Sequence, residues 1–171
     1  MKVYAGIGSR KLNQNELSLC YHIGKYMARL GWTIRTGAAV GADQAFADGA
    51  LSIGGKAILC LPWPTYEEQW VSWALSQGAQ IRVLKDSDLR AWAWAEKFTK
   101  PGVRRLMARN WLIVAGVKFT VAWPKKNEMG YLGGTGHGMN IAKEKGQEVK
   151  DLSNPETRTT IAAKVIQSLM G

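Results

Sequence analysis

Apolar positions come in short dense runs that alternate with stretches of helical period along the whole chain. Residues 2–8, KVYAGIG, are β-branched and apolar up to a glycine pair, which predicts a strand running into a tight turn. From about Asn15 to Leu30, Leu17, Cys20, Tyr21, Ile23 and Met27 recur at helical spacing, and Gly31 closes that helix as a left-handed residue. A short strand over 32–36, a glycine-rich turn over 37–41 and a helix from Ala42 or Asp43 repeat the unit. KAILCLPW (56–63) is an unbroken apolar run, read as a buried strand ended by Pro62 and Pro64. A helix over 66–78, with Trp70 and Trp73 on one side, leads to a strand over 79–85. Residues 86–116 carry one or two helices interrupted near Pro101-Gly102, and 118–124 form another strand. A loop through KKNEMGYLGGTGHG then precedes a helix at about 138–145, a strand over 147–152 and a closing helix, TRTTIAAKVIQSLM.

Strands alternating with helices predict an α/β fold with a mostly parallel sheet and helices on both faces. Right-handed crossovers place the strand-to-helix loops on one edge of such a sheet, where ligands bind. At 171 residues and 46% hydrophobic side chains, residues 1–171 suit a single domain. No apolar run approaches the ~18 residues of a membrane span, and the start lacks a signal peptide's apolar stretch. A cytoplasmic protein without membrane contact is the expectation. Cys20 and Cys60, in unrelated contexts, suggest neither a disulfide framework nor a metal site, and no cofactor is expected.

Charge narrows the partner class. Lys and Arg number 23 against 13 acids, a balance of +10 that favours a polyanionic or phosphate-bearing partner. The densest patch is Lys97, Lys100, Arg104, Arg105 and Arg109, with Trp92, Trp94 and Trp111 close in sequence. Cations beside aromatic rings suit single-stranded nucleic acid; a solvated helix face over core tryptophans is the other reading.

Three loops carry candidate chemistry. After the first strand, Gly6, Gly8, Ser9 and Arg10 combine close backbone approach, a hydroxyl donor and a fork-shaped cation. The dinucleotide fingerprint is incomplete, since its third glycine falls at Lys11 and Thr36-Gly37 replaces the ribose-binding acid. After the second strand, Gly37, Gly41 and Ala42 open a helix whose amides suit an anion, and Asp43 either caps that helix or contacts a ribose or base. The third, Gly133, Gly134, Thr135 and Gly136 before His137 and Gly138, reads as a phosphate cradle in preference to a flexible lid or a plain connection, because four glycines in six residues cost more chain entropy than a turn alone requires. His137 is open to three readings: ligand contact, proton carrier or exposed loop residue.

YAGIGSRK, GWTIRTGAAVGADQAFADGA, the LPW end of the third strand, Arg109-Asn110, and GGTGHGMNIAKEKG followed by VKDLSNPET resemble the DprA-like branch of the SLOG superfamily. Small members of this branch are common in bacteriophages, which would place such a protein in the bacterial host cytoplasm. The resemblance runs from about Lys2 to Thr157 and implies a Rossmann-like three-layer sandwich with a nucleotide-type pocket lined by the glycine loops. LOG enzymes of the superfamily cleave nucleoside monophosphates and carry PGGxGTxxE. Here Leu132 replaces the proline, His137 the threonine and Asn140 the catalytic glutamate, and an amide cannot stabilise an oxocarbenium-like transition state as a carboxylate does.

The expectation is a binding protein rather than an enzyme: a module holding a nucleotide or nucleotide-derived phosphate ligand. Trp63 either stacks on the base or sits in the core or rim, and Arg109 and Asn110 resemble a family pair. The alternative is a single-stranded DNA-binding recombination mediator of DprA type. A further alternative is a LOG-type nucleotide N-glycosidase, with Asp43 or Glu128 as substitute acid. Eight tryptophans would allow a homo-oligomer.

Overall fold

The computed structural model describes residues 1–170. Six strands form one sheet: β1 (Val3–Gly8), β2 (Thr33–Thr36), β3 (Ala57–Leu61), β4 (Gln80–Val83), β5 (Phe119–Trp123) and β6 (Glu148–Asp151). Their order is β4-β3-β2-β1-β5-β6 and every pairing is parallel. Seven helices connect and follow them: α1 (Gln14–Arg29), α2 (Ala42–Leu51), α3 (Glu68–Ser76), α4 (Leu89–Ala93), α5 (Pro101–Val114), α6 (Gly133–Glu144) and α7 (Pro155–Met170). The fold is a Rossmann-like three-layer α/β sandwich. No helix among the described residues is long and apolar enough to cross a membrane.

Local chemistry explains the boundaries. Asn13 and Glu16 make a reciprocal capping box at the start of α1, and Gly31 ends that helix at φ +84°. The interruption near Pro101 separates α4 from α5, and Pro101 itself starts α5, where its missing N–H costs nothing. Two apolar clusters cover the sheet. One joins Tyr4, Ile34, Phe46 and Leu59 on the side of α1, α2, α3 and α7, and the other joins Ile7, Leu112, Ile113 and Ile141 on the side of α4, α5 and α6. β1 lies between them with four successive buried residues, as a strand buried on both faces must.

One boundary differs from the sequence expectation in a way that matters. The helix expected from about residue 138 begins at Gly133, so the glycine motif is its first turn and not a free loop. Close packing accounts for two of its four glycines. A Cβ at Gly138 would sit 2.9 Å from the Ile7 side chain, and one at Gly136 would meet Leu132 at 2.6 Å.

Candidate functional site: a cationic cleft at the switch point of the sheet

The chain winds outward from β1 through β2, β3 and β4 on one side, and from β5 to β6 on the other. The loops after β1 and β5 therefore part company above adjacent strands, which is where open α/β sheets form their ligand crevice. The Ser9 amide donates to the Trp123 carbonyl at 2.9 Å and ties the two loops at their base. Above that tie lies a cleft of about 500 Å³. Gly8 to Lys11 form one wall, Lys125 to Asn127 and Tyr131 to Thr135 a second, and Val103, Leu106 and Met107 of α5 a third.

The floor is built around Arg109, which is only 5% exposed. Its Nη1 donates to the carbonyls of Gly37 and Cys60, and its guanidinium lies 5.3 Å from the Tyr66 ring centre. Nε is buried without a partner. One side of the guanidinium is thus held by the fold while Nε is left without an acceptor. Arg10, exposed at the rim, donates to the same Tyr66 through its hydroxyl at 2.9 Å.

Asp43 is the acid of the cleft. Its carboxylate accepts from the amides of Gly8 at 3.2 Å and Ala39 at 3.4 Å, and so ties the first glycine loop to the second. It does not cap α2, whose N-cap Gly41 makes no side-chain bond. Burial pushes its pKa from 3.8 up to about 6, with Arg109 and the two amide bonds pulling the other way. A raised carboxyl pKa means that the fold disfavours the ionised form. The Asp43 contribution to stability is complete below pH 3.8, drains as pH rises towards about 6 and stays lost above it, on the order of 3 kcal/mol. A carbon-detected NMR titration is expected to place the Asp43 midpoint near 6. A midpoint in the ordinary carboxylate range would contradict this account of the floor.

At the first turn of α6 no side chain caps the helix, so the amides of Gly133, Gly134 and Thr135 are left without intrahelical partners. Asn110 holds this turn in place by donating to the Gly134 carbonyl at 3.1 Å and approaching His137 Nδ1 at 3.2 Å. His137 Nε2 lies 2.8 Å from the Trp94 carbonyl. Burial first, and Lys97 second, lower the His137 pKa against the Trp94 bond. The resulting neutral ring donates from Nε2 and accepts at Nδ1. His137 is therefore a brace between α4, α5 and α6, not an exposed loop residue.

The family model for DNA recombination-mediator protein A matches residues 1–166. The chain belongs to this DprA family. Comparison with curated proteins returns no match. Among solved structures, the chain is similar to DNA processing protein A from Streptococcus pneumoniae at TM-score 0.63 and 20% identity, covering 88% of this chain and 49% of that one. It is also similar to the molybdenum cofactor carrier protein of Chlamydomonas reinhardtii, at TM-score 0.60 and 18% identity over 95% and 84% of the two chains. A third likeness is to the protein TM1055, at TM-score 0.60 and 16% identity over 87% and 72%. At these identities the likeness establishes the fold. The chain spans about half the length of the pneumococcal protein.

In this DprA-family chain, Gly8, Ser9, Arg10, Asp43, Arg109, Asn110, Gly133, Gly134 and Thr135 line the cleft. The remaining candidates do not. A Cβ at Gly6 would meet Ile34 and Phe46, one at Gly41 would meet the Ser9 carbonyl oxygen at 2.6 Å, and Ala42 packs under Gly8. Gly37 is buried against Asp43 and Arg109, so the second loop is filled by the protein's own side chains rather than open to a phosphate. Trp63 sits outside the cleft, edge-on to Tyr66 with ring centres 5.4 Å apart.

The basic patch over 97–109 also comes apart. Arg109 is in the floor, while Arg105 donates to the carbonyls of Pro62 and Leu84 and lies over Trp92. Only Lys97 and Lys100 of the five stand exposed. Asp43 is the one acid in the cleft lining, and Asn140 and His137 lie instead in a second depression beside α4 with Lys97 and Glu144. No group of three or more His, Cys, Asp or Glu among the described residues could hold a metal ion.

Sequence reading missed Lys11, Lys125, Lys126 and Tyr131, and the α5 wall. The lysine pair follows a strand directly, and in a parallel sheet that position alone puts it on the ligand-binding edge. Lys125 is partly committed, pairing with Glu16 at 2.7 Å. Five cations, Arg10, Lys11, Arg109, Lys125 and Lys126, thus face one carboxylate of raised pKa.

Proposed function

We propose that the cleft binds the phosphates of single-stranded nucleic acid, and that the chain is the DNA-binding module of a recombination mediator. The observation that carries this reading is the charge balance at the switch point, where five cations and an uncapped helix start converge on one space with Asp43 as its one acid. Membership of a family described as a DNA recombination mediator supports it. The roles divide by burial. Arg109 is a fixed charge whose orientation the fold has already set, so binding loses little side-chain entropy there. Arg10, Lys11 and Lys126 are exposed and attract the strand over longer range, which makes their share sensitive to salt.

Fluorescence anisotropy with a labelled oligothymidine across a salt series tests the proposal. Arg10→Ala and Lys126→Ala are each expected to weaken binding about ten-fold and to flatten the salt slope by about 0.7, the value for one single-strand phosphate contact. Thermal stability of Lys126→Ala should hardly move, because that side chain is exposed, while Arg10→Ala also gives up the bond to Tyr66 and should lose slightly more. Unchanged slopes in both variants would remove the cleft from the interaction.

The second reading is a nucleotide-derived small molecule. The closed floor supports it, since Asp43, Arg109 and Asn110 are all buried beneath a space of the size of small-ligand sites. The likeness to the algal molybdenum cofactor carrier protein, named for a ligand of that size, points the same way. A mononucleotide that displaces labelled DNA at micromolar concentration favours this reading. Displacement only by oligonucleotides favours the first.

A further inference from the structure

Phosphate recognition uses the cationic side of the cleft and leaves its apolar side unexplained. α5 lines the same space with Val103, Leu106 and Met107, and Tyr131 is the one aromatic ring in the lining. Tyr131 is 64% exposed and Val103 37% exposed. Apolar surface left in water forgoes about 25 cal/mol per Å², so these residues stabilise the empty fold less than buried ones would. The backbone that carries the ring is nevertheless tied by hydrogen bonds. The Asn127 side-chain oxygen accepts from the amides of Met129 at 3.0 Å and Tyr131 at 2.9 Å, while the Asn127 amide donates to the Tyr131 carbonyl at 2.8 Å. Gly130, at φ +85°, makes the turn that this closure needs. A hydrogen-bonded turn therefore places an aromatic ring in a cleft that also holds five cations and the apolar α5 wall.

We propose that Tyr131 and the α5 wall form a base-stacking subsite, so that the cleft takes one nucleotide unit with its base on Tyr131 and its phosphate on the cationic side. This inference rests on the phosphate reading above. The occupant is chosen by charge complementarity. Within about 500 Å³ the cleft offers cations to an anion and an apolar face to a flat ring, and a nucleotide carries both. Trp63, the ring that the sequence offers for stacking, is turned to Tyr66 and does not reach the lining.

The test compares two labelled phosphodiester strands of equal length, an oligothymidine and an abasic strand, on the wild type, Tyr131→Phe and Tyr131→Ala. Stacking of one base is worth about 1–3 kcal/mol, so the wild type is expected to prefer the oligothymidine by about ten-fold. Tyr131→Phe should keep that preference. Tyr131→Ala should lose it while binding the abasic strand as the wild type does, with an unchanged unfolding midpoint. A wild type that binds both strands equally, with the salt dependence intact, overturns the subsite and leaves the phosphate reading standing. A preference that persists in Tyr131→Ala also overturns it. Failure of both strands to bind overturns the phosphate reading, and the subsite with it.

Discussion

Alanine at Gly49 is expected to destabilise the protein by about 3 kcal/mol or more, a large part of the 5–15 kcal/mol that typically holds a domain together. α1 and α2 cross at a distance set by two glycines. A Cβ at Gly49 would fall inside the van der Waals shell of the Tyr21 carbonyl oxygen, and one at Gly24 inside that of Phe46. Each obstacle is main chain in the facing helix, so no rotamer change relieves it and the helices must separate. Separation opens gaps around Cys20, Ile23, Phe46 and Ala50, all fully or nearly buried in the cluster beneath. Gly24→Ala should behave alike, and the double variant should cost less than the sum, because the first substitution already parts the helices. Gly102→Ala is the control: its site in the first turn of α5 has no neighbour within 4 Å, and alanine there should be neutral or slightly stabilising. Urea unfolding of the three single variants checks the ranking. A Gly49→Ala midpoint matching that of Gly102→Ala would refute the close-crossing argument.

Arg109→Ala is expected to remove both stability and ligand binding. Truncation leaves the Gly37 and Cys60 carbonyls without their donor in a buried floor, and leaves Asp43 without the stronger of the two cations that lower its pKa. Unsatisfied buried groups cost about 1–3 kcal/mol each, so a loss of about 3 kcal/mol or more is expected. The Asp43 midpoint should rise further above its value of about 6. Binding should fall by about a hundred-fold or more, since the one pre-set cation of the cleft is gone. Arg109→Lys separates charge from shape. It restores the cation but not the planar fork, so it should recover part of the stability and little of the affinity. An Arg109→Ala protein that retains wild-type affinity would place the ligand elsewhere.

Several elements were legible in the chain. The strand at 3–8 lies almost where its apolar run and glycine pair put it, α1 ends at Gly31, and Pro62 stops β3. These are local effects of side-chain period, of proline's missing donor and of glycine's tolerance of positive φ, and each needs only a few neighbouring residues. The start of α6 was not legible, because glycines in a helix cost propensity and read as a loop. Gly138 among them is explained by the side chain of Ile7, more than a hundred residues away. Gly37 is a similar case. The left-handed residue of its turn is Ala38, at φ +63°, and Gly37 is needed for its closeness to Asp43 and Arg109.

The charge patch shows the limit most clearly. Lys97 to Arg109 look like one basic stripe in sequence, yet helical geometry turns Arg105 and Arg109 inward, where carbonyls from distant strand ends hold them. The cations that do share a space come from residues 10–11, 109 and 125–126. The amino-acid order alone settles the alternation of elements, the parallel sheet and the family, because these depend on local period and on motif order. Which side chains face one ligand depends on strand order and on the crossing of helices, and those arise from contacts between residues far apart in the chain. Only the folded structure brings Arg10, Arg109 and Tyr131 around one cleft and fills the second glycine loop with Asp43 and Arg109.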